Sequence, residues 1–363
     1  MRVILASFVR VLLLCTLALC ACDPFHVEFD KIEPAERYQA GELSAAPAAP
    51  TQLKVMTWNV KFGGGRIDFF FDCFGDRVLM SKAEVVANLE AIAAKIRQVD
   101  PDLVFLQEVD INSKRGAFVN QLQWLLDHTD LNHGAYGSQW RADFVPSDGL
   151  GAMDDGNAIL SRWPLRDATR LALPLRSDQD ALTRYFYLRR NILRAHLELA
   201  EREIALVATH TDAYGDDGTK LRHIEAFEAE LDALRDDGAL VIGGGDLNTL
   251  PPGSDKQHDF PDAVCTDEDF IADDYRAEAE WLAGLYGSYA PAVALEDYQA
   301  DNAAHFTHTV DGRGFWNRKL DYLFTSGQWQ PDSALTHQDQ ARGGMETMPL
   351  SDHAPLSAVL ELP

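Results

Sequence analysis

The sequence predicts an α/β fold in which two mainly antiparallel sheets pack face to face and helices cover their outer surfaces. Three features carry that expectation: apolar runs of strand length outnumber helical patterns, the helical patterns fall between strand pairs early and late in the chain, and no repeat period is visible. With 363 residues, 46% hydrophobic and 25% charged, the chain has the balance of a globular protein with a sizeable core.

The first 22 residues stand apart from that fold. Arg2 and Arg10 lead into the apolar run VLLLCTLALCAC, too short to span a bilayer but suited to a signal peptide. Leu19, Cys20 and Ala21 ahead of Cys22 resemble a bacterial lipobox. This implies a leader over 1–21, a diacylated Cys22, and a protein exported and tethered to a membrane facing the periplasm or exterior; an ordinary cleaved leader and a secreted protein is the alternative. Residues 22–51, rich in Ala, Pro and charge, are expected to form a flexible tether, leaving 52–363 as the folded domain. After cleavage Cys73 and Cys265 are the cysteines left to pair with each other; whether they do stays open, and no zinc pattern is present.

Residues 53–60 (LKVMTWNV) read as a buried strand, followed over 61–80 by a glycine-rich, aromatic stretch. Its Phe69, Phe70, Phe71 and Phe74 read either as packed beneath a long loop or as an apolar lip for a lipid. Over 81–98, Val85, Val86, Leu89, Ile92, Ala93 and Ile96 recur at one-face helical spacing, and Ser81 with Glu84 forms a capping box. Residues 101–110 (PDLVFLQEVD) are the next buried strand. A helix is expected over 117–128 and short strands over 156–163, 188–199 and 202–212. A helix over 220–234 then leads into LVIGGGDLN, and the last strands are expected in FTHTV, KLDYLFTSG and MPLSDHAPLSAVLEL. Between them, residues 251–304 form an acidic, partly helical insert holding Trp281, Tyr286 and Tyr289.

The formal charge is −25, and −27 once the two leader arginines are gone. Such a surface repels a polyphosphate chain and forgoes counterion release, so long nucleic acid is disfavoured unless a divalent cation offsets the charge locally.

Six of the apolar runs end or begin in a polar residue: Asn59, Glu108, His210, Asp246 with Asn248, Asp321, and Asp352 with His353. Singly, each also reads as a turn cap, a solvated strand end or a satisfied structural histidine. Asp246 and Asn248 are two apart, so a strand continuing through them would offer both on one face. Gathered at one rim, so many acidic groups with Lys319 as their lone lysine neighbour concentrate negative charge that a bound cation would relieve. Carboxylate and amide oxygens without cysteine suit a hard cation such as Mg2+ or Mn2+.

TWNV, DLVFLQEV, GNAILSRWPL, VATHT, GGGDLNTLP, LDYLF and LSDHAPL, in that order over residues 53 to 363, resemble the DNase I-like endonuclease/exonuclease/phosphatase superfamily. The resemblance implies a four-layer α/β sandwich and metal-assisted phosphoester hydrolysis at one edge. It implies that Glu108 holds the cation, with Asn59 and Asp352 close to it or its waters. Asp246 would activate water, Asn248 bind the scissile phosphate, and His353, fixed by Asp321, stabilise the transition state or assist the leaving group, while His210 touches the phosphate. Lys61 stands where abasic-site endonucleases carry an aspartate, which removes one acidic ligand and favours a single metal; Asn157 falls at a recurrent position without a firm role. The substrate implied is a phosphodiester: a lipid head group, a small diester or nucleic acid, the enzyme being nuclease-like or phospholipase C- or sphingomyelinase-like. No protein partner is implied, and a non-catalytic binding protein keeping the same fold is the reading of another class.

Overall fold

A computed structural model describes residues 28–48, 50–70, 75–199, 202–260, 274–310 and 314–362. The leader, Cys22, Phe71, Phe74 and the Cys73–Cys265 pair lie outside the described residues. Along the chain come β1 (Ile32–Pro34), β2 (Glu36–Gln39), β3 (Gln52–Asn59), α1 (Lys82–Val99), β4 (Leu103–Asp110), α2 (Gln121–Asp127), β5 (His133–Val145) and β6 (Gly151–Ser161). Then follow β7 (Arg166–Ala172), α3 (Ala181–Phe186), β8 (Asn191–Leu199), β9 (Arg202–His210), α4 (Thr219–Asp236) and β10 (Leu240–Asp246). The last are α5 (Ala283–Ser288), β11 (Ala290–Pro291), α6 (Leu295–Ala300), β12 (Asp321–Thr325), β13 (Gln328–Trp329), β14 (Leu335–Thr336) and β15 (Leu356–Glu361).

One sheet runs β1-β7-β8-β9-β10-β12-β11 and the other β13-β15-β3-β4-β6-β5-β2, with β14 on β15. Pairing is antiparallel except between β3 and β4 and between β9 and β10. Alternation along the strands explains the layers. Leu53, Val55, Leu103, Phe105, Leu206, Ala208, Ile242 and Leu323 face inward and form the apolar centre between the sheets. Met56, Trp58, Val104 and Leu106 face outward against α1 and α2, and Val207, Val241 and Phe324 against α4 and α5. The result is the expected four-layer sandwich.

The helix α1 forms as read, its Ser81 side chain accepting from the Glu84 N–H and the Glu84 carboxylate accepting from the Ser81 N–H. Elsewhere the structure departs from expectation. The described part of the expected tether is docked: β1 pairs with β7 and β2 with β5, so one short segment covers an edge of each sheet. The strand β5 was invisible to periodicity because its polar residues are satisfied internally: Tyr136 donates to Asp154 Oδ1 at 2.9 Å and Arg141 Nε to Asp154 Oδ2 at 2.7 Å. FTHTV forms no strand; only His308 makes isolated bridges, to Arg318 and His353. The helix expected over 117–128 starts later, at Gln121, where Asn120 caps it. Of the phenylalanines in 61–80, Phe69 is buried and packs against Phe62 and Phe70, which places it beneath the loop.

Candidate active site

Inward-facing positions change character along the sandwich. On β3 the inner face reads Leu53, Val55, Thr57, Asn59; on β9 it reads Ile204, Leu206, Ala208, His210; on β10 it ends in Asp246. At one end, therefore, the apolar centre gives way to polar side chains that still point between the sheets. Asp246 is the register partner of both His210 on β9 and Asp321 on β12. These three come together by strand pairing alone. β10 approaches its neighbours so closely that a Cβ on Gly245, whose φ is 136°, would lie 2.0 Å from the Thr209 carbonyl oxygen.

Glu108 arrives differently. Its even-numbered neighbours Val104 and Leu106 face the outer helices, so an unbroken strand would point Glu108 outward as well. The register of β4 on β6 shifts between Leu106 and Val109, and Glu108 has φ 56°. This bulge re-aims the carboxylate to the inner side, where it accepts from Asn59 Nδ2 at 3.1 Å. Asp352 and His353 lie in the turn ahead of β15, held by Ser351 Oγ donating to the Asn59 carbonyl at 2.7 Å and Trp58 Nε1 donating to the His353 carbonyl at 2.8 Å.

The groups meet around one oxygen. Asn59 Nδ2 donates to Asp246 Oδ2 at 3.1 Å, and the Nε2 atoms of His210 and His353 lie 3.4 and 3.5 Å from the same atom. Behind His353, Nδ1 lies 2.7 Å from Asp321 Oδ2. Asp246, Asp321, His210 and His353 are all buried. Burial, partly opposed by the nearby imidazolium, raises the Asp246 carboxyl well above the ordinary carboxylate range. Burial would lower His353, but Asp321 and Asp246 outweigh it and hold the ring protonated through neutrality. Burial and the Arg190 guanidinium keep His210 neutral.

The other side of the cluster is suited to a cation. Burial and Asp352 raise the Glu108 carboxyl, a sign of uncompensated negative charge. Asp352 itself is held below the usual range, since the Lys61 ammonium and His353 outweigh its burial; Lys61 Nζ lies 3.4 Å from Asp352 Oδ2. Beside the neutral His210, the cations directly paired with Glu108, Asp246, Asp321 and Asp352 among the described residues are Lys61 and His353, so four carboxyl groups face two cations, an excess that the raised Glu108 and Asp246 carboxyls reflect. An oxygen donor set with that excess fits one divalent hard cation. Asn59 turns its NH2 toward the carboxylates while its Oδ1 accepts from the Lys61 N–H at 3.0 Å, so it braces Glu108 against Asp246.

The strand-end residues Asn59, Glu108, His210, Asp246, Asn248, Asp321, Asp352 and His353 come together here, though not all by the expected aim. Asn248 is not on a strand with Asp246: the strand stops at Asp246, Asn248 adopts φ 47°, and its Nδ2 donates to the Thr211 carbonyl at 3.2 Å. Its N–H donates to Asp246 Oδ1 at 3.0 Å, so a tight turn, not strand alternation, sets the two side by side. Lys319 is buried behind the site, donating to the Asp321 carbonyl at 2.8 Å. Asn157 is buried and donates to the Asn191 carbonyl at 3.3 Å. Two neighbours carried no sequence signal. Arg190 is buried, donates through Nη1 to Gln139 at 3.1 Å, and is near enough to influence both Glu108 and His210. The His308 ring sits 4.4 Å from that of His353.

A family model described as endonuclease/exonuclease/phosphatase matches residues 56–353. No curated protein matches the chain. Among solved structures, an endonuclease/exonuclease/phosphatase from Beutenbergia cavernae DSM 12333 is 19% identical, with TM-score 0.54, over 86% of this chain and 72% of that one. The endonuclease/exonuclease/phosphatase from Bacteroides vulgatus is 15% identical, with TM-score 0.53, over 86% of this chain and 100% of the other. A family protein from Bacteroides thetaiotaomicron is 16% identical, with TM-score 0.53, over 86% and 99%. At these identities the likeness speaks to the fold.

Proposed function

The chain belongs to the endonuclease/exonuclease/phosphatase family, whose enzymes hydrolyse phosphoester bonds, and we propose that its substrate is a phosphodiester cut by a water that Asp246 activates. The observation that carries this reading is the convergence of Asn59, His210 and His353 nitrogens on Asp246 Oδ2, with Asp321 fixed behind His353. A phosphate entering between Asp246 and the imidazoles would meet a base on one side and N–H donors on the other.

Asp246, made more basic by burial, takes the proton of the attacking water. His353, protonated and with its ring fixed through Nδ1 by Asp321, presents Nε2–H to the charge that develops on phosphorus oxygens or on the leaving oxygen. Neutral His210 and the Asn248 amide bind non-bridging oxygens, and Arg190 adds positive charge from behind. Glu108 and Asp352 are the residues that would hold Mg2+ or Mn2+, with Asn59 orienting Glu108. Such a cation polarises the phosphoryl oxygen and lowers the pKa of water.

The test is turnover of bis-p-nitrophenyl phosphate with Mg2+, compared with Asp246→Asn and His353→Gln. Each substitution is expected to lower kcat by about 100-fold or more, the scale of lost general acid or base catalysis; parent-like rates would contradict the mechanism. The same preparation assayed on plasmid DNA, RNA, sphingomyelin and phosphatidyl lipids sorts the diester classes.

We also place the enzyme outside the cytoplasm, anchored through a diacylated Cys22. The supporting features are the Arg2 and Arg10 leader and the run ending at Cys22. Since Phe29 already stacks on Arg170 and the Lys31 carbonyl accepts from the Ala172 N–H, residues 22–28 would be the span between anchor and domain, at most about 25 Å when extended. A mature N-terminus without lipid mass would remove the anchor.

A further inference from the structure

Beside the proposed reaction centre lies a second cluster with different donor chemistry. One ligand atom from each of His308, Asp352 and His353 lies within 4.8 Å of the other two. Two imidazoles and one carboxylate form a donor set for a borderline transition metal, whereas Mg2+ takes oxygen and avoids imidazole. Ligand atoms on a tetrahedral Zn2+ are about 3.3 Å apart, so the trio has to close by no more than about 1.5 Å to coordinate one ion.

The backbone holds the two rings opposite each other. His308 is the bridge partner of His353, and its ring is tilted 47° to the His353 ring. On one side the Thr307 and His308 N–H groups donate to the Arg318 carbonyl at 2.6 and 2.9 Å. On the other, the Ala354 N–H donates to the Thr307 carbonyl at 2.6 Å and the Thr309 N–H to the Asp352 carbonyl at 3.1 Å. His308 thus belongs to a segment pinned from both flanks. Asp321 on His353 Nδ1 supplies the outer carboxylate that orients metal-binding histidines, so Nε2, which lies 3.5 Å from Asp246 Oδ2, is the atom that would coordinate. His308 and Asp352 are both partly exposed, which gives an ion access from solvent. Lys61 competes for the same Asp352 carboxylate.

We propose that His308, Asp352 and His353 form an inhibitory site for Zn2+ or a similar transition-metal ion, distinct in donor type from the oxygen site at Glu108. The regulatory half of this inference rests on the hydrolase reading above. Coordination through Nε2 occupies the ring atom that otherwise faces the developing charge, and it draws Asp352 away from the cation it would share with Glu108.

Zn2+ affinity, measured by competition with a chromophoric chelator, is to be compared for the parent, His308→Ala, His308→Gln and Glu108→Gln, and Zn2+ inhibition of Mg2+-supported turnover for the parent and the two His308 variants. Both His308 variants should keep Mg2+-supported turnover within about 2-fold, bind Zn2+ at least about 10-fold more weakly, and need correspondingly more Zn2+ for inhibition. Glu108→Gln should keep parent-like Zn2+ affinity. Equal Zn2+ affinity in parent and both His308 variants would overturn the proposal and leave the alternative trio Asp246, Asp321 and His353 as the binding place. His308-dependent binding without inhibition would overturn its regulatory half. A parent that binds Zn2+ through His308 yet hydrolyses no diester would support the site while defeating the hydrolase mechanism.

Discussion

The two sheets bring different chemistry to the same opening, and they do so by different structural means. The sheet containing β9, β10 and β12 supplies His210, Asp246 and Asp321 from register-paired positions of regular strands. The sheet containing β3, β4 and β15 supplies Asn59, Glu108, Asp352 and His353, of which Glu108 needs a bulge and the last two a turn. In the proposed function, the first sheet activates water and the second holds the cation. The contrast teaches that the water-activating base and its strand neighbours can be set by ladder register, whereas Glu108, Asp352 and His353 are aimed individually by a bulge and a turn. Two contacts join the halves: the Asn59 amide between Glu108 and Asp246, and the His353 ring on Asp321.

If this division is right, substitutions on the two sides fail in different ways. The largest loss of turnover should follow Asp246→Asn, on the order of 1,000-fold in kcat, as removal of a general base predicts. Asp321→Asn comes next. It leaves His353 in place but loses the carboxylate that sets its tautomer, so turnover should fall by about 100-fold with metal affinity nearly unchanged, read by steady-state kinetics beside a Mn2+ titration. Asn59→Ala should act on both halves at once, lowering kcat by about 10-fold and weakening the metal by a similar factor, because it releases Glu108 and Asp246 together.

The smallest effect on turnover should come from outside both halves. His337 is buried where β14 meets β15, its Nε2 2.9 Å from Ser357 Oγ, and burial pushes its pKa down to about 4. The folded state thus refuses a proton that the unfolded chain accepts below about 6.5. Stability from this group is present above that pH and is lost as pH falls from about 6.5 toward about 4, by at most about 1.4 kcal/mol per pH unit. Thermal midpoints between pH 7 and 4.5 should therefore fall less steeply in His337→Gln than in the parent, with turnover at neutral pH unaltered.

The same contrast explains what the sequence could reveal. Buried runs that end in His210 and Asp246 or begin at Asp321 announce themselves because strand alternation keeps the terminal polar residue on the face of the apolar ones beside it. Glu108 was legible as a residue type but not in its aim, since a bulge leaves no mark in hydrophobic periodicity. Asn248 lies beside Asp246 for a reason that alternation does not carry: its left-handed turn, not a shared strand face, sets it there. β5 was hidden because its charges are paired internally, and β1 and β2 because short edge strands are too brief for a pattern. His308 lacked any signal, as its segment is held by two flanking backbones rather than by a strand of its own.

The division of labour between the sheets is tested most directly by Mn2+ affinity, followed by electron paramagnetic resonance, in Glu108→Gln and Asp246→Asn side by side with their turnover. The account predicts that both lose hydrolysis, that Glu108→Gln also loses affinity by more than about 10-fold, and that Asp246→Asn binds the ion nearly as the parent does. Parent-like affinity in Glu108→Gln, or parent-like turnover in Asp246→Asn, would contradict it.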